Sequence, residues 1–196
     1  MGNREQLLAA AKRCLLGKGY ARTSVRDIAT AAGVSMAAIG YHYGTREALL
    51  GIALMELAGE WGEELQRVLS TSARQGAQPL ERFEALWDAV LNSFAARRQM
   101  WAAQLDIMTQ VDHVPQVREQ LSAGLADGRL GLARILHDSD EIPDDDEARA
   151  VGSFYLALLD GLLIQWLIDP DNAPTGADMA KALSRVSGRD SRKPRQ

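Results

Sequence analysis

The stretch Ala21–Leu50, ARTSVRDIATAAGVSMAAIGYHYGTREALL, decides the fold. It reads as two short helices joined by a tight turn, followed at once by the start of a third. Ser24 with Asp27 three residues later is the capping-box pattern, in which each side chain satisfies a backbone N–H at a helix start. Val25, Ile28, Ala29 and Ala32 recur at helical spacing and mark one apolar face. Gly33, tolerant of left-handed backbone, stops that helix. Val34 packs the corner and Ser35 caps the next helix. Helix–tight turn–helix is a DNA-reading unit whose second helix lies in the major groove.

The segment Thr23–Ala29 resembles the second helix of the TetR family of bacterial transcriptional regulators. Ala32-Gly33-Val34-Ser35 resembles that family's turn. Tyr41–Leu49, YHYGTREAL, resembles the end of its recognition helix and the entry to its fourth helix. Any two capped helices around a glycine imitate a lone helix-turn-helix. Here several motifs fall in order and spacing over about the first fifty residues. The resemblance implies an N-terminal DNA-binding head and a helical body that dimerises and encloses a ligand.

Composition agrees with an all-α chain. Of 196 residues, 46% are hydrophobic, Ala and Leu are abundant and β-branched runs are absent. The net charge of −4 argues by itself against nucleic acid. Its distribution argues the other way. The first 50 residues hold Arg4, Lys12, Arg13, Lys18, Arg22, Arg26 and Arg46 against Glu5, Asp27 and Glu47, a net +4, which leaves −8 on the remainder. A basic head on an acidic body suits a small DNA-contacting module. The single cysteine, Cys14, forms no internal disulfide and reads as a small core residue, a redox sensor being the alternative. No signal peptide is expected. The most apolar run, Leu156–Ile168, is too short for a membrane span and is interrupted by Asp160 and Gln165. A cytoplasmic protein with no membrane partner is the expectation.

Along the chain, the pattern predicts about nine helices in three segments. Residues 1–47 form the helix-turn-helix DNA-binding domain, 48–187 a helical ligand-binding and dimerisation domain, and 188–196 a basic, disordered tail. Helix one runs from Arg4 to Gly17. Thr45 caps a fourth helix reaching about Ser70; roughly 25 residues at 1.5 Å each give ~37 Å. Gly51, Gly59 and Gly62 inside it serve close packing ahead of a bend. Gln75–Gln78 is a loop, and Pro79 suits the first turn of a fifth helix. A sixth helix follows Arg97-Arg98. Pro115 opens a seventh, weakened by Gly124, Gly128 and Gly131. Pro143 and the acidic run Asp144–Glu147 open the eighth, where carboxylates meet the positive end of the helix dipole. The ninth covers about Thr175–Val186.

The reading helix meets base edges with its N-terminal residues and exposed face. Ser35, Met36, Ala37, Ala38, Tyr41 and His42 are the candidates, with Ile39 and Tyr43 facing inward. Ala37 and Ala38 allow close approach to the groove floor and contact with a thymine methyl group. Phosphate contacts are expected from Arg22, Thr23, Ser24 and Arg26, from Tyr41 and His42, and from Thr45 and Arg46. Gly40 stands where the family commonly has an aromatic contact, and costs about 0.5–1 kcal/mol of helix stability relative to Ala.

In the body, the resemblance implies a ligand pocket, for which Trp87, Phe94, Trp101, Gln104, Leu105, Met108, Phe154 and Tyr155 are the candidates. Each is as well explained as ordinary core. The eighth helix is apolar nearly all round and needs partners on two sides. One stripe, from Val151 through Phe154, Tyr155, Leu158, Leu159, Leu162, Leu163 and Trp166 to Leu167, faces the core. The other, Ser153, Ala157, Gly161, Ile164 and Ile168, suits close approach of another helix, and the resemblance implies that this face, with Met179 and Leu183 of the ninth helix, pairs with a second copy. No cofactor, metal or catalytic motif is read. The chain is expected to be a repressor released from a palindromic double-stranded DNA operator by a small apolar or aromatic effector. The alternative is a DNA-binding regulator, repressor or activator, without such an effector. An enzyme would need a nucleophile–base pair or paired carboxylates, and no motif links the isolated Asp106 and Asp160.

Overall fold

The computed structural model describes residues 2–72, 78–137 and 145–188. The expected loop residues 75–77, Pro143 and Asp144 before the eighth helix, and the tail from 189 lie outside the described residues. Among the described residues the chain forms nine α-helices and no strand, as the composition led one to expect. They are α1 (Asn3–Lys18), α2 (Val25–Ala32), α3 (Ala37–Tyr43), α4 (Arg46–Ser72), α5 (Pro79–Ala96), α6 (Arg98–Met108), α7 (Pro115–His137), α8 (Asp146–Ile168) and α9 (Gly176–Val186). The described residues of Met1–Glu63 and Arg97–Gly128 form one compact unit, and those of Glu64–Ala96 and Arg129–Gln196 form another.

The first unit holds α1 to α3, the first part of α4, α6 and the first part of α7. Its core is aliphatic near the N-terminus, where Leu7, Leu15, Ile28, Ile39, Leu49, Leu50 and Leu54 are fully or almost fully buried. Each such side chain contributes about 1.5–3 kcal/mol relative to an exposed one. Cys14 is part of this core, and burial pushes its thiol pKa up, which disfavours the reactive thiolate. Farther along, Trp61 meets Trp101 edge to face, ring centroids 4.7 Å apart. The glycines of α4 divide into two kinds. A side chain at Gly51 would run into Gln120 of α7, so this glycine serves close packing as expected. A Cβ at Gly59 or Gly62 would meet nothing within 4 Å among the described residues, so close packing against them does not explain these glycines. On α7, Gly124 gives room to Met55, and the helix runs unbroken through the glycines expected to weaken it.

The second unit packs α5 against α8 and α9. Phe83, Leu86, Trp87, Val90 and Phe94 of α5 are buried, as are Leu159, Leu162 and Leu163 of α8 and Ala180 of α9. Asp145 caps α8 by accepting a hydrogen bond from Ala148 N at 2.9 Å. Thr175 and Asp178 form a capping box at the start of α9. Gly176 is required there: a Cβ would strike the Glu84 carbonyl, and its own N–H donates to Asp88 Oδ1 at 2.9 Å. Gly152 likewise lets α8 approach the backbone at Arg129.

Helix α8 departs from expectation in two respects. An 18-residue stretch of this 23-residue helix has a mean hydropathy of 1.7, so the helix is long and apolar enough to cross a membrane by length and composition, whereas the run from Leu156 alone is too short. Its inner face is committed to the core of the second unit through Leu159, Leu162 and Leu163. Phe154 was placed in the inner stripe, yet it is exposed with Ser153, Ala157, Ile164 and Ile168. Its ring packs edge-on against Tyr155 at 5.4 Å, which it reaches from outside the core.

Candidate nucleic-acid interface

The site is built on the start of α2. Ser24 is the N-cap: its hydroxyl oxygen accepts from Asp27 N at 3.1 Å, and the Ser24 N–H donates back to Asp27 Oδ2 at 2.9 Å. The Lys18 ammonium, 2.5 Å from Asp27 Oδ1, and the Ser24 hydroxyl hold the Asp27 carboxyl well below the usual carboxylate range. At the other end, Gly33 adopts φ 68° and ψ 28°, the left-handed cap expected of it. Val34 N then donates to Ala29 O at 3.1 Å and turns the chain.

Helix α3 starts one residue later than Ser35 capping would require. Met36 holds the cap position without a side-chain cap, and the Ser35 carbonyl accepts from Ala38 N. Ile39 and Tyr43 point inward as anticipated. The Tyr43 hydroxyl donates to the Arg4 carbonyl at 2.7 Å, and the Arg4 guanidinium lies over the ring. The outward face carries Ser35, Met36, Ala37, Gly40 and Tyr41, with Tyr41 86% exposed. His42 is half-buried, its ring edge-on to Tyr41 at 4.9 Å. Gly44, at φ +79°, and Thr45 then turn the chain into α4, where Thr45 Oγ1 caps the helix by accepting from Ala48 N at 3.0 Å.

Three expected contact residues are placed otherwise. Thr23 is 1% exposed, and its hydroxyl donates inward to the carbonyls of Gly19, at 2.7 Å, and Cys14, at 3.2 Å. It ties the loop to α1 and offers no group to a phosphate. Ala38 is 9% exposed and belongs to the floor of the head, so of the two adjacent alanines only Ala37 faces out. Arg46 is turned inward: Nη1 donates to Tyr20 O at 3.1 Å and to Thr23 O at 2.6 Å, and Nε and Nη2 engage Glu47 Oε1. Its guanidinium covers the Tyr20 ring at 5.2 Å, and burial pushes the Tyr20 hydroxyl pKa up to about 12. Nothing in the sequence separated Thr23 from Ser24, or Arg46 from a surface arginine.

Ser24, Arg22 and Arg26 remain exposed around the start of α2. The Arg22 Nε–H donates to Lys18 O at 2.9 Å, which steadies that side chain beside the helix. No pattern in the chain pointed to the role of Lys12, which reaches from α1 to Glu56 and Glu60 and so ties the first helix to α4. The ligand candidates divide between the units. Trp101 is core of the first unit, Gln104 and Leu105 are half-buried there, and Met108 is exposed. Trp87 and Phe94 are core of the second unit. The Tyr155 ring lies nearly parallel to Trp87 at 6.3 Å, and Phe94 packs on Trp166 at 5.8 Å.

Comparison with known proteins agrees with this geometry. The family model of the bacterial regulatory proteins of the tetR family matches residues 7–51, and that of the BetI-type transcriptional repressor, C-terminal, matches residues 79–186. The transcriptional regulator TtgR of Pseudomonas putida is 27% identical over 184 residues, covering 91% of this chain and 86% of its own. The regulator BetI of Stenotrophomonas maltophilia is 27% identical over 171 residues, covering 84% and 79%. The crystal structure of the multidrug binding protein EbrR, in complex with imidazole, shares the fold at a TM-score of 0.66 and 21% identity over 95% of each chain. With a helix-turn-helix head and a family model over more than half its length, the chain belongs to the TetR family and is a DNA-binding transcriptional regulator.

Proposed function

We propose that the protein is a dimeric repressor that binds a palindromic operator and is released from it by a small apolar or aromatic ligand. The observation that carries the reading is the division of α3. Ile39 and Tyr43 lock one face into the head, and Met36, Ala37, Gly40 and Tyr41 are left bare on the other. That bare face would enter the major groove, with Ser35 and His42 at its margins. Arg22, Ser24, Arg26 and the capped start of α4 at Thr45 would meet phosphates. Residues 1–47 would serve as the head and 48–187 as the body. The protein would act in the cytoplasm, by binding and not by catalysis, without a membrane partner.

Repression is favoured by the description of the family that the body matches, a transcriptional repressor. Dimerisation is supported by the apolar side chains that α8 and α9 leave in water. Ile168 is 79% exposed, and Phe154, Ile164 and Val186 are exposed with it. A second copy would cover Ala157, Gly161, Ile164 and Ile168 about a two-fold axis, with Met179 and Leu183 alongside. An effector is supported by Trp87, whose indole N–H is buried and has no acceptor among the described residues. A bound ligand with a hydrogen-bond acceptor would satisfy it.

Selection of duplexes from a random library by the wild-type protein, followed by footprinting, tests the reading. The expected footprint has two-fold symmetry, with half-site centres about 10 base pairs apart or a multiple of that. An asymmetric single site would refute the dimeric operator. The second reading, a regulator without a small-molecule effector, would gain if the footprint is palindromic and no screened ligand alters it.

A further inference from the structure

We propose that Arg46 is a positioning residue: a strut inside the head that holds the start of α2 to the start of α4, and through it the reading helix α3. The proposal rests on the DNA-binding function and extends it to a residue that touches no DNA. Arginine presents several N–H donors in a rigid planar fork, and all three nitrogens of this one engage partners within the head. Nη1 holds the carbonyls of Tyr20 and Thr23, and Nε and Nη2 hold Glu47 Oε1 on the next residue of α4. The flat face of the guanidinium covers the Tyr20 ring.

The place of those carbonyls gives the strut its effect. Thr23 immediately precedes Ser24, the cap of α2, and its hydroxyl is already fixed to the Cys14 and Gly19 carbonyls. The loop from Tyr20 to Thr23 is therefore held on one side by α1 and on the other by Arg46. Helix α3 is joined to α4 by only Gly44 and Thr45, and Thr45 N donates to Tyr43 O at 2.9 Å. Thus the first turn of α4 grips α2 through Arg46 and α3 through the chain itself. Base readout depends on the angle between those two helices; phosphate attraction does not.

Arg46→Lys and Arg46→Gln separate a strut from a phosphate contact. The probes are a duplex selected by wild type from a random library and a scrambled duplex of the same length. Binding is measured over a range of salt, with helicity by circular dichroism. As a strut, both variants lose about tenfold or more on the selected duplex, equivalent to about 1.4 kcal/mol. They keep wild-type binding to the scrambled duplex and an unchanged salt slope. Lysine does no better than glutamine, because a point ammonium cannot span both carbonyls and Glu47. The proposal is overturned if lysine restores wild-type affinity. It is also overturned if loss is equal on both duplexes with a slope shallower by about one phosphate, as a direct contact would give. Should Arg46→Gln lose helicity, the lysine variant alone decides between these outcomes. A wild-type protein that selects no duplex would instead refute the recognition of DNA itself.

Discussion

The Tyr43 hydroxyl donates a hydrogen bond to the Arg4 carbonyl at 2.7 Å, joining the last residue of α3 to the first turn of α1. The Arg4 guanidinium completes the grip from above the ring, 5.6 Å from its centroid. The reading helix is seven residues long and begins without a side-chain cap, so such tertiary ties decide its stability more than its own propensity. Tyr43→Phe keeps the ring and the cation–π contact and leaves the Arg4 carbonyl without this donor. The expected cost is about 0.5–1.5 kcal/mol, read as a lower midpoint in thermal or denaturant unfolding. No change beyond error would show that water replaces the hydroxyl at no cost.

Adjacent alanines test the orientation of α3. Ala37 is exposed and Ala38 buried. Ala38→Leu would overfill the head and is expected to destabilise it by about 1–3 kcal/mol, weakening all DNA binding as the head loosens. Ala37→Leu should leave the unfolding midpoint in place and harm the selected operator more than random DNA, by crowding the groove floor. An unfolding midpoint equally lowered by both would contradict the opposed faces.

These cases mark how far the sequence could be read. Ser24, Asp27 and Gly33 were legible because a cap and a left-handed stop are local chemistry, complete within a few residues. The inward faces of α2 and α3 were legible through Ile28, Ile39 and Tyr43, since helical period alone sets them. The roles of Thr23 and Arg46 were not. A threonine beside a capping serine and an arginine at a helix start look like phosphate ligands until the tertiary positions of the Cys14, Gly19 and Tyr20 carbonyls are known. Ala38 was misplaced because it sits next to Ile39 at the edge of the inward face, where a small side chain gives no signal of its own to separate floor from surface. Phe154 lies at the boundary between two apolar faces of α8, where spacing cannot assign a side.

Acid should loosen α2 before the rest of the head. Asp27 has a folded pKa below its unfolded value of about 3.9. A depressed carboxylate pKa contributes stability that is fully present above the unfolded value and is lost as pH falls through the folded one. The capping box and the Lys18 pair should therefore be intact at neutral pH and weaken below about pH 4. Asp27→Asn removes this contribution at neutral pH and flattens the dependence. Amide exchange of α2 followed from neutral pH into this acid range measures it, and an identical pH profile in the variant would dismiss the role of Asp27.

The exposed face of α8 predicts a second copy of the chain. A Cβ at Gly161 would meet nothing within 4 Å among the described residues and Ala157 is exposed, so Gly161→Arg and Ala157→Arg should fold normally as single chains. In a two-fold interface each charge would be buried opposite its twin and without a counter-ion. Sedimentation should show a dimer for wild type and monomers for both variants, with operator binding lost in parallel. A monomeric wild type at micromolar concentration would remove the dimer from the proposal.

Effector control is tested at Trp87, the buried indole whose N–H has no acceptor among the described residues. Tyr155, nearly parallel at 6.3 Å, and Phe83, at 6.0 Å, complete an aromatic cluster around it, and under the proposed function the effector would be a flat apolar molecule with an acceptor. A panel of small aromatic carbonyl compounds can be screened by tryptophan fluorescence. The chain has four Trp, so the signal is assigned by comparison with Trp87→Phe, which keeps an aromatic ring at the site and removes the donor. A compound that uses this donor should bind the variant more weakly, by up to about tenfold for one hydrogen bond. To release DNA, the compound must bind the DNA-free conformation more tightly than the bound one, because a ligand with equal affinity for both shifts nothing. A coupling of about 1–3 kcal/mol would then lower operator affinity roughly 5- to 150-fold. Reciprocity requires operator DNA to weaken ligand binding by the same factor, so the two titrations check each other. A compound that binds with the Trp87 signature yet leaves operator affinity unchanged would favour the regulator without an effector.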